Sequence, residues 1–484
     1  MRFTKILMAG AATLALAACG SAEVASPGEG SFGGGTGGGT GGGGGTGGGT
    51  TPATCPTGTT NVGTITAAGG VVLRNCQLPN LIVGGLALQN ITGVIYSVSG
   101  RVDVGSDRGP NPAAPIAGSQ QGILTVEPGV RVFGSGGLDY IVVNRGSQIF
   151  AEGTATNPVI FTSRQSIEGT TNADSIGQWG GLVILGRAPI AACPAGVTPP
   201  NIACEAQVEG TNAFYGGNTA ADNSGRLRYF RLQHSGFQIL PGNELNGITM
   251  AGVGNGTVVE YIQVHNSSDD GIEPFGGTVN MKYVVLTGND DDSFDTDTGY
   301  RGNVQFLIVR QDVDRGDRVF ESSSAGNQAL FTRPTISNAT LIGRTDNGGG
   351  DVVLLNTGNA MRLYNSVATK AGTGTCFDID DAQTTTNGPI LRSVFFTCGT
   401  TLRTDGNEDA ATSAVFNFAG ANNASGTSTL NGVTNGANET ARPTTAVAGL
   451  DPFFVNTTYV GAVRDAADTW YNGWSCGIAT GSTC

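Results

Sequence analysis

The chain has 484 residues, a formal net charge of −13, 79 glycines and only 13% charged residues. Glycine is more than twice its usual share of about 7%, yet 39% of the residues are apolar, which excludes a disordered polyelectrolyte. The acidic balance excludes a general nucleic-acid-binding surface, and a chain with only two histidines has few residues for a histidine-based metal centre.

The N-terminus has the pattern of an export signal. Arg2 and Lys5 precede an apolar stretch at 6–18, which is too short to span a bilayer. The stretch ends in Leu16-Ala17-Ala18-Cys19, which resembles a bacterial lipobox and implies cleavage before Cys19 and attachment of lipid to that residue. A plain secretory signal peptide is the alternative. Because Gly20 follows the cysteine, the resemblance implies delivery to the outer membrane, on its periplasmic or surface face.

A low-complexity linker follows the cysteine. Residues 19–51 are rich in Gly and Thr, with nearly pure GGGT repeats from 33 onward. Such a composition predicts a disordered, flexible tether. Since no other segment approaches 18 unbroken apolar residues, we expect an acyl anchor in the lipid bilayer and no membrane crossing. The predicted regions are a signal peptide at 1–18, the tether at 19–51 and a folded domain at 52–484.

Eight cysteines remain beyond Cys19, and they occur in pairs that are close in sequence. Eight cysteines allow about 105 connectivities in principle. The spacing favours local bridges in an oxidising compartment, and metal ligation lacks any Cys-x-x-Cys motif. The predicted disulfides are Cys55–Cys76, Cys193–Cys204, Cys376–Cys398 and Cys476–Cys484.

The body of the chain consists of short, β-branched apolar runs separated by Gly, Asn and Asp, with no sustained helical period. An aromatic residue recurs in strand-like sequences at Tyr229, Tyr261, Tyr283 and Phe306, at intervals of 32, 22 and 23 residues. A strand-rich repeat of about 22 residues is typical of a parallel β-helix coil. We therefore predict an all-β, single-stranded parallel β-helix, with a loop inserted in the first interval.

The two open ends of a solenoid need caps that prevent pairing with other strands. The Cys55–Cys76 loop is the expected cap at one end. At the other end we expect the aromatic segment with Phe453, Phe454, Trp470 and Trp474, closed by Cys476 and Cys484.

The repeat also places acidic residues over one another. At an interval of 22, Asp269 maps to Asp291, Asp270 to Asp292 and Glu273 to Asp295, and Glu321 extends the column by one coil. Because side chains alternate along a strand, an inward Ile272, Phe294 and Phe320 place the acids on the outer face of one sheet.

Three interpretations of this column compete. The first is a calcium site, because an oxygen-only cluster suits a hard cation, and its expected ligands are Asp270, Glu273, Asp292, Asp295, Asp297 and Glu321. The second is an acid/base carboxylate pair for glycoside hydrolysis. The third is an exposed acidic face neutralised by Arg301, Arg315 and Arg318.

Several segments carry a family resemblance. Leu124-Thr125-Val126-Glu127-Pro128-Gly129, Pro158-Val159-Ile160-Phe161-Thr162-Ser163 and Trp179-Gly180-Gly181-Leu182-Val183-Ile184 resemble exported bacterial right-handed parallel β-helix proteins, most densely over 120–345. The resemblance implies a right-handed coil and a surface location, but no settled activity. More distantly, the architecture looks like pectate lyases, in which stacked acids bind calcium and an arginine acts as the base. Arg301 or Arg318 would take that role, although no lyase motif supports it.

The sequence thus predicts an outer-membrane-anchored lipoprotein that binds a polysaccharide or other envelope component, such as an envelope protein, with calcium as a bridge and without nucleic acid. The first alternative is a polysaccharide lyase or glycoside hydrolase that uses the acidic face, with Asp295, Arg301 and Arg318 as candidate catalytic residues. The second is a structural surface spacer without a small-molecule ligand.

Overall fold

The computed structural model describes residues 54–240, 243–479 and 482–484. The predicted signal peptide, Cys19 and the tether lie outside the described residues. Within those ranges, no helix has both the length and the apolar character needed to cross a membrane.

The described chain winds into a parallel β-helix, as predicted. The short apolar runs form strands, and apart from three antiparallel hairpins these strands pair in parallel with the equivalent strands of neighbouring coils. Among the described residues, 18 strands form one sheet, the long sheet, and 11 strands form a second, the short sheet.

The long sheet contains the strands Thr60–Ala67, Val71–Gln77, Gly84–Leu88, Val94–Ser97, Gly122–Val126, Arg131–Gly134, Gln148–Glu152, Val159–Ser163, Gly225–Gln233, Val258–His265, Asn280–Thr287, Asn303–Arg310, Thr335–Ile342, Arg362–Tyr364, Val367–Thr369, Ile390–Arg392, Phe395–Phe396 and Ala424–Ser425. The short sheet contains Leu81–Ile82, Arg101–Val104, Tyr140–Val143, Gly181–Leu185, Ile248–Ala251, Ile272–Glu273, Phe294–Thr296, Phe320–Ser322, Val353–Leu355, Thr375–Ile379 and Thr400–Leu402.

Short excursions interrupt the coils. Two antiparallel hairpins pair Ala206–Gln207 with Phe214–Tyr215, and Gln238–Leu240 with Asn243–Glu244. The second hairpin is the loop that lengthens the first repeat interval. The α-helices are Arg164–Glu168, Ala382–Asn387, Asp409–Phe416 and Ala437–Thr440, and the 3-10 helices are Ala68–Gly70 and Gln328–Leu330.

The core is a stack of apolar side chains at equivalent inward positions. In the short sheet, one inward column lines up in register and is buried, with the members Ile248, Ile272, Phe294, Phe320, Val353 and Phe377. The rings of Phe294 and Phe320 lie 5.0 Å apart between centroids. Parallel stacking at a strand spacing of about 4.8 Å brings like residues into contact and makes this core continuous.

The repeating aromatic residues stack on the flank of the long sheet. Tyr229, Tyr261, Tyr283 and Phe306 all have a left-handed backbone, with φ between 45° and 62°. Their ring centroids are 4.4, 4.4 and 4.9 Å apart in sequence order. Bulky residues rarely adopt this conformation. Here the bend turns each ring outward, where stacking on the neighbouring coils compensates the strain.

The C-terminal segment lies along this flank and does not cap the end of the helix, so the predicted cap is wrong. The centroid of Trp474 lies 6.0 Å from that of Tyr261. Further along, the Asn338 amide donates to the carbonyls of Tyr459 and Gly461. The segment packs on the flank because it buries the outward aromatic side chains there and accepts hydrogen bonds from the outward amides.

The two ends are closed differently. At the N-terminal end, Thr60–Ala67 and Val71–Gln77 form an antiparallel hairpin, and Cys76 of this hairpin bonds to Cys55. At the C-terminal end the helix Asp409–Phe416 inserts Phe416 into the core, 5.3 Å from the ring of Phe396. A helix across the last coil blocks further strand pairing.

All four predicted disulfides are confirmed. Cys55–Cys76, Cys193–Cys204, Cys376–Cys398 and Cys476–Cys484 are bonded, with sequence separations of 8 to 22 residues.

The stacked core predicts a large cost for removing one of its rings. Phe294→Ala should lower the free energy of unfolding by about 3–5 kcal/mol, because it leaves a cavity between two coils. The matched control is Phe418→Ala, since Phe418 is 57% exposed. It should cost less than about 1 kcal/mol. Urea unfolding followed by circular dichroism measures both, and equal losses would contradict the stacked-core description.

Candidate functional site

The predicted acidic column exists. Outward positions of the short sheet place Glu273 next to Thr249, and Asp295 next to Glu321, in the parallel register. Ile272 pairs with Phe294, so Glu273 and Asp295, which follow them, lie on adjacent coils. We call the outward row that contains Glu273, Asp295 and Glu321, together with the acids that flank it, the acidic file.

Three of the predicted ligands come together at its centre. One carboxylate oxygen from each of Asp270, Glu273 and Asp295 lies within 4.8 Å of the other two. Asp270 and Glu273 are buried, with 7% and 6% of their surface exposed, and Asp295 is partly buried. The Asn246 amide donates to Glu273 Oε2 at 2.6 Å, which holds that carboxylate in place.

The other three predicted ligands lie around this centre. Asp292 groups with Asp291 and Asp317, again within 4.8 Å, and its Oδ1 accepts from the backbone N–H of Arg318. Asp297 accepts from the backbone N–H groups of Thr298 and Ala325 at the corner of the coil. The predicted ligands therefore form a central cluster with flanking carboxylates.

Glu321 differs from the other acids because a cation neutralises it. Its Oε2 lies 2.9 Å from Nη1 of Arg318, and its Oε1 accepts from the Asn356 amide at 2.8 Å. The ion pairs of the described residues give no such partner to Asp270, Glu273, Asp292 or Asp295.

Only one of the three predicted arginines reaches the file. Arg318 does, whereas Arg315 forms its ion pair with Asp312. The guanidinium of Arg301 lies 4.8 Å from the ring centroid of Phe331 and donates to the Phe331 carbonyl. An acidic face neutralised by all three arginines is therefore not what the chain forms.

Neither proposed arginine base is well placed. Burial works to lower the pKa of Arg318, but the charges of Glu321 and Asp317 outweigh it and raise that pKa above its usual value. Burial lowers the pKa of Arg301, helped by the charges of Arg333 and Arg362, but its guanidinium lies over the ring of Phe331 and forms no ion pair with an acid of the described residues. The arginine beside the acids thus keeps its proton.

The structure shows a segment that covers part of the outer face of the short sheet, which the sequence did not predict. Between the strands Gly181–Leu185 and Gly225–Gln233 the chain crosses the outer face, and Ile190 and Tyr215 pack there against Phe275 and its neighbours. This segment contains the disulfide Cys193–Cys204. It also brings the charge of Glu209 close to Glu273 and Asp269. The Cys193–Cys204 pair was the one sequence signal for such an ordered excursion.

Burial and mutual repulsion raise the pKa of the central acids. Burial, then Asp295 and Glu209, hold the pKa of Glu273 well above its ordinary value, and burial with Glu273 and Asp292 does the same for Asp270. Burial and the neighbouring Asp291 raise the pKa of Asp269 to about 7.

Two kinds of partner can relieve this repulsion. A proton can be shared between two neighbouring carboxyls, such as those of Asp295 and Glu273. A divalent cation can replace the proton, because every donor is an oxygen and calcium takes six to eight oxygens at about 2.3–2.6 Å. Oxygens up to 4.8 Å apart fit opposite sides of one such ion. The cluster can therefore hold calcium or share protons.

The raised pKa of Asp269 predicts a pH-dependent stability when cations are removed by a chelator. A raised folded-state pKa favours folding below the ordinary value of 3.8, and this contribution is lost as pH rises through about 7. Asp269→Asn keeps the neutral form at every pH. Its stability should therefore increase relative to that of the wild type from about pH 4 to about pH 7, by about 1 kcal/mol per pH unit, and the difference should level off above pH 7.

Urea unfolding at several pH values in EDTA measures this difference. Asp174→Asn, which changes an exposed acid outside the file, is the control and should show no such trend. A wild-type-to-Asp269→Asn difference that stays constant with pH would contradict the burial and repulsion described here.

Comparison with known proteins agrees with this architecture. A model of the pectate-lyase-like β-helix domain matches residues 113–475, which is about three quarters of the chain. Neither the curated proteins nor the solved structures contain a significant match. The chain therefore belongs to the family of pectate-lyase-like β-helix domains.

Proposed function

We propose that this protein is a lipid-anchored outer-membrane β-helix that binds glycans or other envelope components, with calcium in the acidic file as the bridge. The observation that carries the proposal is the buried cluster of Asp270, Glu273 and Asp295, whose oxygens lie within 4.8 Å without an ion-pair partner among the described residues. Buried like charges of this kind need a cation or protons.

The ligand set supports calcium and leaves room for a second ligand. Three carboxylates fill only part of the six to eight positions around calcium. The remaining positions can take carboxylate or hydroxyl oxygens of an acidic glycan. Asp291, at the rim of the cluster, is exposed, so an extended ligand can approach from that side.

The location rests on the lipobox-like Leu16-Ala17-Ala18-Cys19 and on cysteine chemistry. Four disulfides favour an oxidising compartment such as the periplasm or the cell surface. A Gly/Thr-rich tether at 19–51 would hold the β-helix away from the bilayer.

A second candidate function is glycoside hydrolysis, favoured by one pair of residues. Asp295 lies opposite Glu321 on adjacent coils, and only Glu321 is paired with Arg318. Burial and the neighbouring Asp297 and Glu321 hold the pKa of Asp295 well above its ordinary value, as a general acid requires. The protonated state of Arg318 speaks against a lyase that uses it as the base.

Calcium titration of the full chain, together with a panel of acidic glycans, tests these alternatives. Calorimetry at pH 7.5 should show calcium binding that Asp295→Asn weakens at least tenfold, and glycan retention should depend on calcium. Binding should weaken at pH 5, because protons compete for acids with raised pKa values. Asp174→Asn is the charge-matched control.

The outcomes separate the candidates. Binding without product supports the bridge. New reducing ends that disappear in Asp295→Asn support hydrolysis, and unsaturated ends would revive the lyase. A chain that binds neither calcium nor glycan contradicts the proposal and favours a structural spacer.

Cys19→Ser tests the anchor. In a bacterial host, the wild-type chain should partition into detergent and carry acyl mass, because lipid on Cys19 would be its attachment to the membrane. The serine variant should be found in the aqueous fraction. Equal partitioning of both would contradict lipid anchoring at this residue.

A further inference from the structure

The outward row of the acidic file continues beyond Glu321, the last member that the sequence analysis assigned to it. Glu321 pairs with Leu354, and Leu354 pairs with Asp378, in the same outward row of the short sheet. Leu354 is 5% exposed and separates the two acids. Because each coil adds about 4.8 Å, Asp378 lies about 10 Å beyond Glu321.

Asp378 belongs to a cluster of its own. One carboxylate oxygen from each of Asp378, Asp380 and Asp405 lies within 4.8 Å of the other two. Asp380 follows on the same coil, whereas Asp405 comes from the loop after the strand Thr400–Leu402 of the next coil. Two coils therefore build this cluster, and none of its three members is an expected ligand of the acidic file.

A second observation is an unsatisfied oxygen on the buried member of this cluster. Asp378 is 4% exposed, and its Oδ1 has no hydrogen-bond partner within the described ranges. Asp351 is 3% exposed, and its Oδ1 likewise has no hydrogen-bond partner among the described residues. A buried carboxylate oxygen without a donor is costly, and a cation removes that cost.

The nearby arginine neutralises the cluster only in part. Arg403 donates to Asp351 Oδ2 from Nη2 at 2.8 Å, and its Nε remains 3.8 Å from Asp378 Oδ2. The shorter ion pair of the Arg403 guanidinium is therefore the one with Asp351. Asp380 and Asp405 have no ion pair among those the described chain forms.

The outer two carboxylates are held in place by one asparagine. The side-chain amide of Asn407 donates to Asp380 Oδ1 at 3.1 Å, and its backbone N–H donates to Asp405 Oδ1 at 2.9 Å. Asp409 Oδ1 accepts from the backbone N–H groups of Asp405 and Gly406, which fixes the turn. The carboxylates are thus positioned before any ion arrives.

We infer that Asp378, Asp380 and Asp405 form a second divalent-cation site, of the calcium class, separate from the acidic file's central cluster. All three donors are oxygens, as hard cations require. Oxygens up to 4.8 Å apart fit around one ion with contacts of about 2.4 Å. Asp380 and Asp405 are exposed, so the ion can enter from solvent. This site does not depend on the proposed function.

Calcium titration of the full chain by calorimetry, with site-specific variants, tests the inference. The wild type should bind two ions. Asp380→Asn with Asp405→Asn should remove one of them or weaken it at least tenfold, and these exposed positions leave the buried Asp378 in place. Asp295→Asn should affect only the other ion. The control is Asp174→Asn with Asp465→Asn, which removes the same charge elsewhere on the surface.

Each outcome is decisive. Loss of one ion in the Asp380/Asp405 double variant but not in the control supports the second site. An unchanged stoichiometry and affinity in that double variant overturns it, whatever happens in Asp295→Asn. If only the Asp295→Asn variant loses binding, the proposed central site stands and the second site falls. If only the Asp380/Asp405 double variant loses binding, the result supports the second site and contradicts the central one.

Discussion

The structure depends on the register of its parallel strands. Each strand bonds to the coils on either side without a shift, so a residue at one position lies directly over its equivalent in the next coil. The strand spacing of about 4.8 Å is close to the contact distance of stacked rings. It is well below the distance at which the interaction between two buried charges becomes negligible. The same register therefore stabilises an apolar column and destabilises an acidic one.

The short sheet shows both effects side by side. Phe294 and Phe320 face inward and stack, while the next residue of each strand, Asp295 and Glu321, faces outward. No shift of the strands can separate the acids without also breaking the aromatic stack. The strong inward packing holds the carboxylates together, and this makes a cation, or shared protons, necessary at the centre of the file. The function proposed for this face is thus linked to the stability of the core.

Much of this arrangement could be predicted because it repeats along the sequence. The interval of 22 residues between Tyr261 and Tyr283 also relates Glu273 to Asp295, so a single period gives both the coil and the column. The disulfides followed from cysteines close in sequence. Contacts between distant segments had no such signal. Nothing local shows that Trp474 returns to Tyr261, or that the segment with Glu209 covers the short sheet.

The continuation of the file to Asp378 shows a different limit. The steps from Glu321 to Leu354 and on to Asp378 are 33 and 24 residues, because loops of unequal length join these coils. A fixed interval fails there, although the strands remain in register. Arg301 shows the converse, since it lies near the acids in sequence but stacks on Phe331. The register of the strands can be predicted from sequence intervals only where the loops between coils keep a constant length.

A crystal structure of the chain grown with a lanthanide that substitutes for calcium, with anomalous differences recorded, would test directly whether the central carboxylates hold a cation. We expect a peak within coordination distance of Asp270, Glu273 and Asp295, with the three carboxylates on adjacent coils. Side chains that point apart, or a map without a peak between these residues, would contradict this expectation.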